Sequence, residues 1–233
     1  MKYLRKLIFK IVHYCFPQLL YKKASYSQDG EDMMLQTYYE TKKHYKGFYI
    51  DVGAHHPYRF SNTAYFYKKG WRGINIEPSP TLFRAFKKRR RKDINLNIGI
   101  SARNISIPFY IFNDQALNTF DEKLAQERHC SNGRYKIVSK IDIQTYPLKD
   151  ILEKNLPNNQ FIDFLTIDVE GFDFDVLTSN DWIKFQPEFI LVECETDLEN
   201  VNQDEIYQFL KGKNYNLIGK TKRTYLFKHN FGV

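Results

Sequence analysis

Several short segments of this 233-residue chain set acidic and imidazole side chains just beyond apolar runs: Asp51-Val52-Gly53-Ala54-His55-His56, Glu77, Asp168-Val169-Glu170-Gly171 and Glu193-Cys194-Glu195. Carboxylates and imidazoles gathered at such ends could take the proton from a weakly acidic hydroxyl, or bind a hard divalent ion such as Mg2+ or Mn2+. His55 and His56 have the advantage of titrating near neutral pH, and hydrogen bonding that stabilises a turn is their plainer role. Asp168 follows the apolar run Phe164-Leu165-Thr166-Ile167 and is the first candidate for the catalytic group. With Glu193 it forms the candidate metal pair. Plainer readings are an exposed strand end for Glu193 and Glu195 and a first-turn helix acid for Glu170.

The turn at residues 51–55 separates two kinds of cofactor. A dinucleotide turn reads G-x-G-x-x-G and seats a pyrophosphate on a helix N-terminus. Here Gly53 is followed by His55, His56 and Pro57, and the turn opens on Asp51. An anionic side chain repels pyrophosphate but suits a cationic ligand bearing an amino group, such as the methionine end of S-adenosylmethionine (SAM). Glu77, 24 residues after Gly53, stands where an acid can accept hydrogen bonds from two ribose hydroxyls. Nitrogen methylation would call for an N/D-P-P-Y-like segment where this chain has Asp168-Val169-Glu170-Gly171, and cytosine C5 methylation for a cysteine beside a proline, which neither Cys130 nor Cys194 is.

These groups need a scaffold that brings strand ends together. Apolar runs alternate with helical patterns from residue 48 onward, the pattern of a parallel sheet covered on both faces. Strands are predicted at 48–53, 72–77, 94–98, 161–168 and 188–193, with two closing strands at 215–219 and 224–228. Helices are predicted at 61–69, 80–91, 148–155, 173–179 and 202–211. The expected fold is α/β: a doubly wound, Rossmann-like sheet of seven strands of the class I SAM-methyltransferase kind. A β-rich insertion at 105–147 carries IPFYIF (107–112) and KIDIQTY (140–146). The basic run at 87–92 (KKRRRK) reads as a solvated helix end, and Trp71 as core.

Six blocks in order carry a family resemblance: Ser27-Gln28-Asp29-Gly30-Glu31-Asp32, DVGAHHPYRFSNT (51–63), KKGWRGINIEP (68–78), NTFDE (118–122), TYPLKDIL (145–152) and IDFLTIDVEG (162–171). From about residue 25 to 228 the chain resembles the FkbM family of SAM-dependent methyltransferases. The resemblance implies O-methylation of a sugar or polyketide hydroxyl. It also implies that the segment around Ser27 and Gln28 lies over the cofactor pocket, though Ser27, Glu31 and Asp32 equally suit a helix start. The cofactor-binding set expected is Ser27, Gln28, Asp51, Gly53, Glu77 and Ile98. Arg59, Glu170 and Glu195 are expected to meet the acceptor, Arg59 through a phosphate. His55 departs from the general methyltransferase pattern, which has glycine there.

Composition excludes disorder: 42% of residues are hydrophobic and 27% charged, a globular balance. The net charge of +8 draws anionic partners without naming one. Three cysteines without C-x-x-C give no disulfide framework or zinc cluster and fit a reducing, cytoplasmic location. Residues 1–24 form a separate basic segment ahead of the 25–233 methyltransferase-like domain. Leu4, Leu7, Ile8, Ile11, Val12 and Cys15 fall on helical spacing with basic residues between them and Pro17 as a stop. That helix either packs on the domain or a second subunit, making a homo-oligomer, or rests on an anionic membrane surface through residues 1–23. The expected acceptor is a nucleotide-linked sugar or a surface-polysaccharide precursor, with no nucleic-acid partner. The alternative is a nucleic-acid or membrane-surface binding module on a degenerate core; the retained chemistry at Asp51 and Glu77 distinguishes the two.

Overall fold

The computed structural model describes residues 2–21, 23–42, 44–131 and 133–231. In chain order the elements are α1 (Lys2–Cys15), α2 (Pro17–Tyr21), α3 (Glu31–Tyr39), β1 (Phe48–Val52), α4 (Ala64–Lys68), β2 (Arg72–Ile76), α5 (Pro80–Arg89), β3 (Ile94–Leu96) and β4 (Gly99–Ile100). There follow β5 (Ile105–Phe112), α6 (Glu122–Ser131), β6 (Ile137–Tyr146), α7 (Leu148–Asn155), β7 (Phe164–Ile167), α8 (Asp173–Thr178), β8 (Phe189–Glu193), α9 (Glu205–Gly212), β9 (Tyr215–Lys220) and β10 (Thr224–His229).

Seven strands form one sheet in the order β3-β2-β1-β7-β8-β10-β9. The first five are parallel, and β10 runs antiparallel between β8 and β9. Side chains alternate across it with the period of a strand. Ile50, Ile74, Leu165, Ile190 and Val192 face α7, α8 and α9, where Leu152, Leu177 and Leu210 close the larger core. Tyr49, Phe164, Phe189 and Leu191 face the other way, against Leu35 of α3, Phe66 of α4 and Trp71. Burial on both faces is why β1, β7 and β8 read as continuous apolar runs.

Differences from the sequence reading have local causes. The third strand stops at Leu96 because Asn97 Nδ2 donates to the carbonyls of Glu77 and Pro78, turning the chain so that Gly99 and Ile100 join a second sheet, β4-β6-β5. The helix expected at 61–69 is shortened to α4 because Ser61 and Thr63 point inward and hydrogen-bond each other. The one expected at 202–211 is a 3-10 turn, Leu198–Gln203, followed by α9, which Asp204 caps by accepting from Tyr207 N. Gly30 in the left-handed region, rather than Ser27, opens α3. Within the insertion, α6 has no counterpart in the sequence reading; Asp121 Oδ1 starts it by accepting from Leu124 N at 3.0 Å.

The largest correction concerns the basic run at 87–92. Lys87, Lys88 and Arg89 do fill the last turn of α5, but Arg90 is completely buried. Its guanidinium donates to Pro57 O (2.7 Å), Ser61 Oγ (3.1 Å) and Tyr49 Oη (3.0 Å) and stands 3.7 Å from Asp93.

Candidate active site

The carboxyl ends of β1, β2, β7 and β8 open into one cavity of about 580 Å³, within the range of small-molecule sites and at the edge where parallel sheets bind ligands. Gly53 begins the first wall. Its φ is +79°, and a Cβ there would lie 1.9 Å from the Asp168 carbonyl oxygen, so only glycine lets the turn after β1 pass the turn after β7. His55 adopts φ +52°. The residue that stands where the general pattern has glycine thus has a left-handed backbone, which is uncommon outside glycine.

Glu77 joins the first two turns. Its Oε2 accepts from His55 N (2.8 Å) and its Oε1 from Ser79 N (2.7 Å), which leaves a lone pair on each oxygen for a ligand when the group is ionised. Burial pushes its carboxyl up to about 8, against the pull of those two N–H donors. Asp51 accepts from Thr63 Oγ1 at 2.7 Å, and burial raises it to about 6. Arg90 fixes Pro57, Ser61 and Thr63 from behind, so it positions Asp51 without reaching the cavity. Ile98, between the two sheets, and Gln28 complete this wall. Ser27 does not line the cavity: its hydroxyl donates to buried Asp32 at 2.9 Å, holding the segment that presents Gln28.

The opposite wall is acidic. Carboxylate oxygens of Asp168, Glu170 and Glu193 lie within 4.8 Å of one another, the one group among the described residues with the spacing of metal ligands. Asp168 is exposed within the cavity, and Glu170 and Glu193 are half-buried beside it. Desolvation, then the charges of Glu193 and Glu170, hold its carboxyl well above the usual range. Desolvation, then the charges of Glu170 and Asp173, push Glu193 to about 8. Glu170, with a left-handed backbone at φ +54°, is also raised by burial, although Arg128 of α6 pairs with it. Asp173 secures this loop by accepting from Val169 N and Gly171 N. Glu195 lines the same side.

The structure separates the two histidines. His55 lines the cavity, and burial lowers its imidazole to about 4, so it is neutral near pH 7 and its buried Nε2 has no partner. His56 stays outside the cavity; its Nδ1 accepts from Tyr58 N and Arg59 N and stabilises the turn. Arg59 reaches the rim, where it pairs with Asp114 at 3.2 Å. Arg128, Lys222 and Arg223 make the rest of the rim cationic.

Three contributors are absent from the set of site residues expected from the sequence. Asn118 opens the NTFDE block; its Oδ1 accepts from Phe112 N at 2.9 Å, while its buried Nδ2 is left without a partner at the cavity wall. Arg128 lies on a helix with no amphipathic pattern, and Arg90 is hidden among surface-type basic residues.

A seven-stranded sheet of this order, with a glycine turn after its first strand, an acid closing its second and a cavity at the strand ends, is that of a class I SAM-dependent methyltransferase. The family model described as the methyltransferase FkbM domain matches residues 51–217, and the chain belongs to that family. Among solved structures, the chain is similar to the methyltransferase FkbM from Methylobacillus flagellatus KT at 14% identity and TM-score 0.47, covering 82% of this chain and 46% of that one. It is also similar to the METTL16 methyltransferase domain, at 10% identity and TM-score 0.49, with 86% and 66% covered. The precorrin-6y C5,15-methyltransferase from Geobacter metallireducens GS-15 aligns at 12% identity and TM-score 0.42, with 88% and 89% covered. The chain thus spans about half of the first protein and just under two thirds of the second. No curated protein matches it.

The residues present fit SAM, the cofactor the family implies. The Gly53 cradle would be filled by any Cβ, Glu77 keeps two acceptor lone pairs, and Asn118 Nδ2 is an orphaned donor on the same cavity.

Proposed function

We propose that this methyltransferase methylates a hydroxyl of a sugar, carried as a nucleotide-linked or surface-polysaccharide precursor. The observation supporting this reading is the group Asp168, Glu170 and Glu193 facing the cofactor turn across one cavity. SAM, when bound, supplies a methyl group on a sulfonium, open to in-line attack. An alcohol attacks only if it is held in line and relieved of its proton. The Asp168 carboxylate opens on the cavity beside Glu170 and Glu193, placed to receive that proton in its ionised form. His55, lowered to about 4, serves as a neutral hydrogen-bond partner rather than as the base. The three carboxylates also fit a hard divalent cation such as Mg2+ or Mn2+. Bound there by Asp168, Glu170 and Glu193, it would act as a Lewis acid on the substrate oxygen.

Arg59, Arg128, Lys222 and Arg223 suit the phosphates of a nucleotide-linked acceptor. Incubating the protein with SAM and a panel of nucleotide sugars, read by mass, should show one added methyl on at least one member. Transfer to nucleic acid and to none of the sugars would discard the reading. Activity lost with EDTA and restored by Mg2+ or Mn2+ supports the cation; indifference to EDTA leaves Asp168 as a metal-free base.

A further inference from the structure

Helix α1 turns a complete amphipathic surface to solvent. Leu4, Leu7, Ile8 and Ile11, which share one face at 100° per residue, are 62, 56, 51 and 51% exposed, so more than half of each faces solvent. Tyr3 and Tyr14, at 91 and 83%, flank that face. Arg5, Lys6, Lys10 and His13 occupy the other side, where Phe9 stacks on His13. A hydrogen bond of 3.1 Å between Tyr21 Oη and His13 Nδ1 folds α2 back on α1 and steadies the pair. Residues 1–23 contain six Lys and Arg and no Asp or Glu, which accounts for six of the chain's net +8.

An anionic lipid surface satisfies both faces. A second copy of α1 would cover the apolar side chains but bring two basic flanks together with no acid between them. Nucleic acid would pair with the basic side chains and leave four large apolar groups in water. A bilayer with anionic headgroups offers an apolar interior to the first face and negative charge to the second. The tyrosines would lie at headgroup level, where amphipathic rings collect. No described helix is long and apolar enough to span a membrane. We infer that α1 lies in the plane of an anionic lipid surface, apolar face inward, and holds the protein there as a peripheral membrane protein.

The full chain should be tested by flotation with vesicles of phosphatidylcholine alone and vesicles containing about 30% phosphatidylglycerol. Partitioning should be at least about tenfold stronger onto the anionic vesicles and should fall steeply at high salt. Replacing Lys6→Glu and Lys10→Glu should weaken it by about fivefold per lost charge or more. Replacing Leu7→Asp and Ile11→Asp should abolish it. These side chains are solvent-exposed, so SAM binding by the variants should match the unaltered protein and serves as the folding control. Equal binding to neutral and anionic vesicles, binding insensitive to Leu7→Asp with Ile11→Asp, or self-association through α1 without vesicle binding would each overturn the inference.

Discussion

The cavity wall made by the turns after β1 and β2 is held by uncharged N–H and O–H donors to Glu77 and Asp51 and, from behind, by the buried Arg90. The wall facing it is held by ion pairs between distant segments. Glu77 binds N–H groups 22 and 2 residues away. Around the rim and across the cavity, Arg128 and Glu170 are 42 residues apart, Arg59 and Asp114 55, and Arg223 and Asp29 194. Arg59 and Arg223 have side chains 47 and 43% exposed, where an ion pair contributes about 0–1 kcal/mol. The exposed pairs Arg59–Asp114 and Arg223–Asp29 can therefore be exchanged for a ligand's charges at little cost, unlike the more buried Arg128–Glu170 pair.

The contrast is broken most severely at Asp168, which belongs to both walls: its carbonyl abuts Gly53 and its carboxylate joins the acidic group. Asp168→Asn should lower kcat by about 10²–10⁴-fold while SAM affinity, read by calorimetry, changes only a few-fold. Full turnover in that variant would relocate the catalytic centre. Behind the β1 turn, Arg90→Met should cost about 3–5 kcal/mol by leaving the buried Asp93 side chain without its cation, visible as a fall of about 10 °C in Tm. The adjacent, exposed Arg91→Met should fall within about 0.5 kcal/mol of the unaltered protein. Equal losses at both positions would show that the buried network does not hold this turn.

Glu77→Gln should weaken SAM binding by about 1–3 kcal/mol, with turnover at saturating SAM much less affected. The pH dependence follows from the same buried acids. Glu77 and Glu193 titrate near 8 in the folded protein and near 4.3 when unfolded. A raised carboxyl pKa contributes stability that is fully present below the unfolded value and lost as pH rises through the folded one. The Tm of the ligand-free protein should therefore fall as pH rises from about 5 to about 8.5. A cationic ligand should restore more of it at the upper end, and a Tm rising over this window would refute the assignment. The smallest effect is expected at the acceptor rim: Arg59→Ala should raise KM for a phosphate-bearing acceptor by about tenfold and leave SAM affinity unchanged. Weakened SAM binding there would erase the distinction between the two walls.

The same distinction explains what the sequence discloses. Gly53, Asp51 and Glu77 stand at fixed short offsets from apolar strands, so their placement is legible in the chain of residues itself. The seven main-sheet strands are legible too, because burial on both faces writes them as apolar runs. His55 and His56 are adjacent in sequence, yet one enters the cavity and the other caps a turn, which depends on a left-handed residue no propensity announces. Glu170 has a metal-ligand partner set only once its loop reverses at φ +54°. Arg90 looks the same in sequence as Lys88 or Arg91, because its burial depends on Tyr49, Pro57 and Ser61, more than 25 positions away.

The second sheet leaves the main fold through a narrow neck. Gly99 and Ile100 pair with Thr145 and Tyr146, Ser101 N donates to Tyr146 O at 3.1 Å, and the Ser101 and Thr145 hydroxyls meet at 2.8 Å. The chain between departs and returns at almost the same point, so lengthening or replacing it changes the closure entropy only slowly, by about 0.6 kcal/mol per doubling. That excursion carries Asn118 and Arg128 to the cavity. The excursion is tied to the main fold again at its far end, where Thr119 Oγ1 donates to Glu170 O at 2.7 Å, so a change in it reaches the acidic group as well.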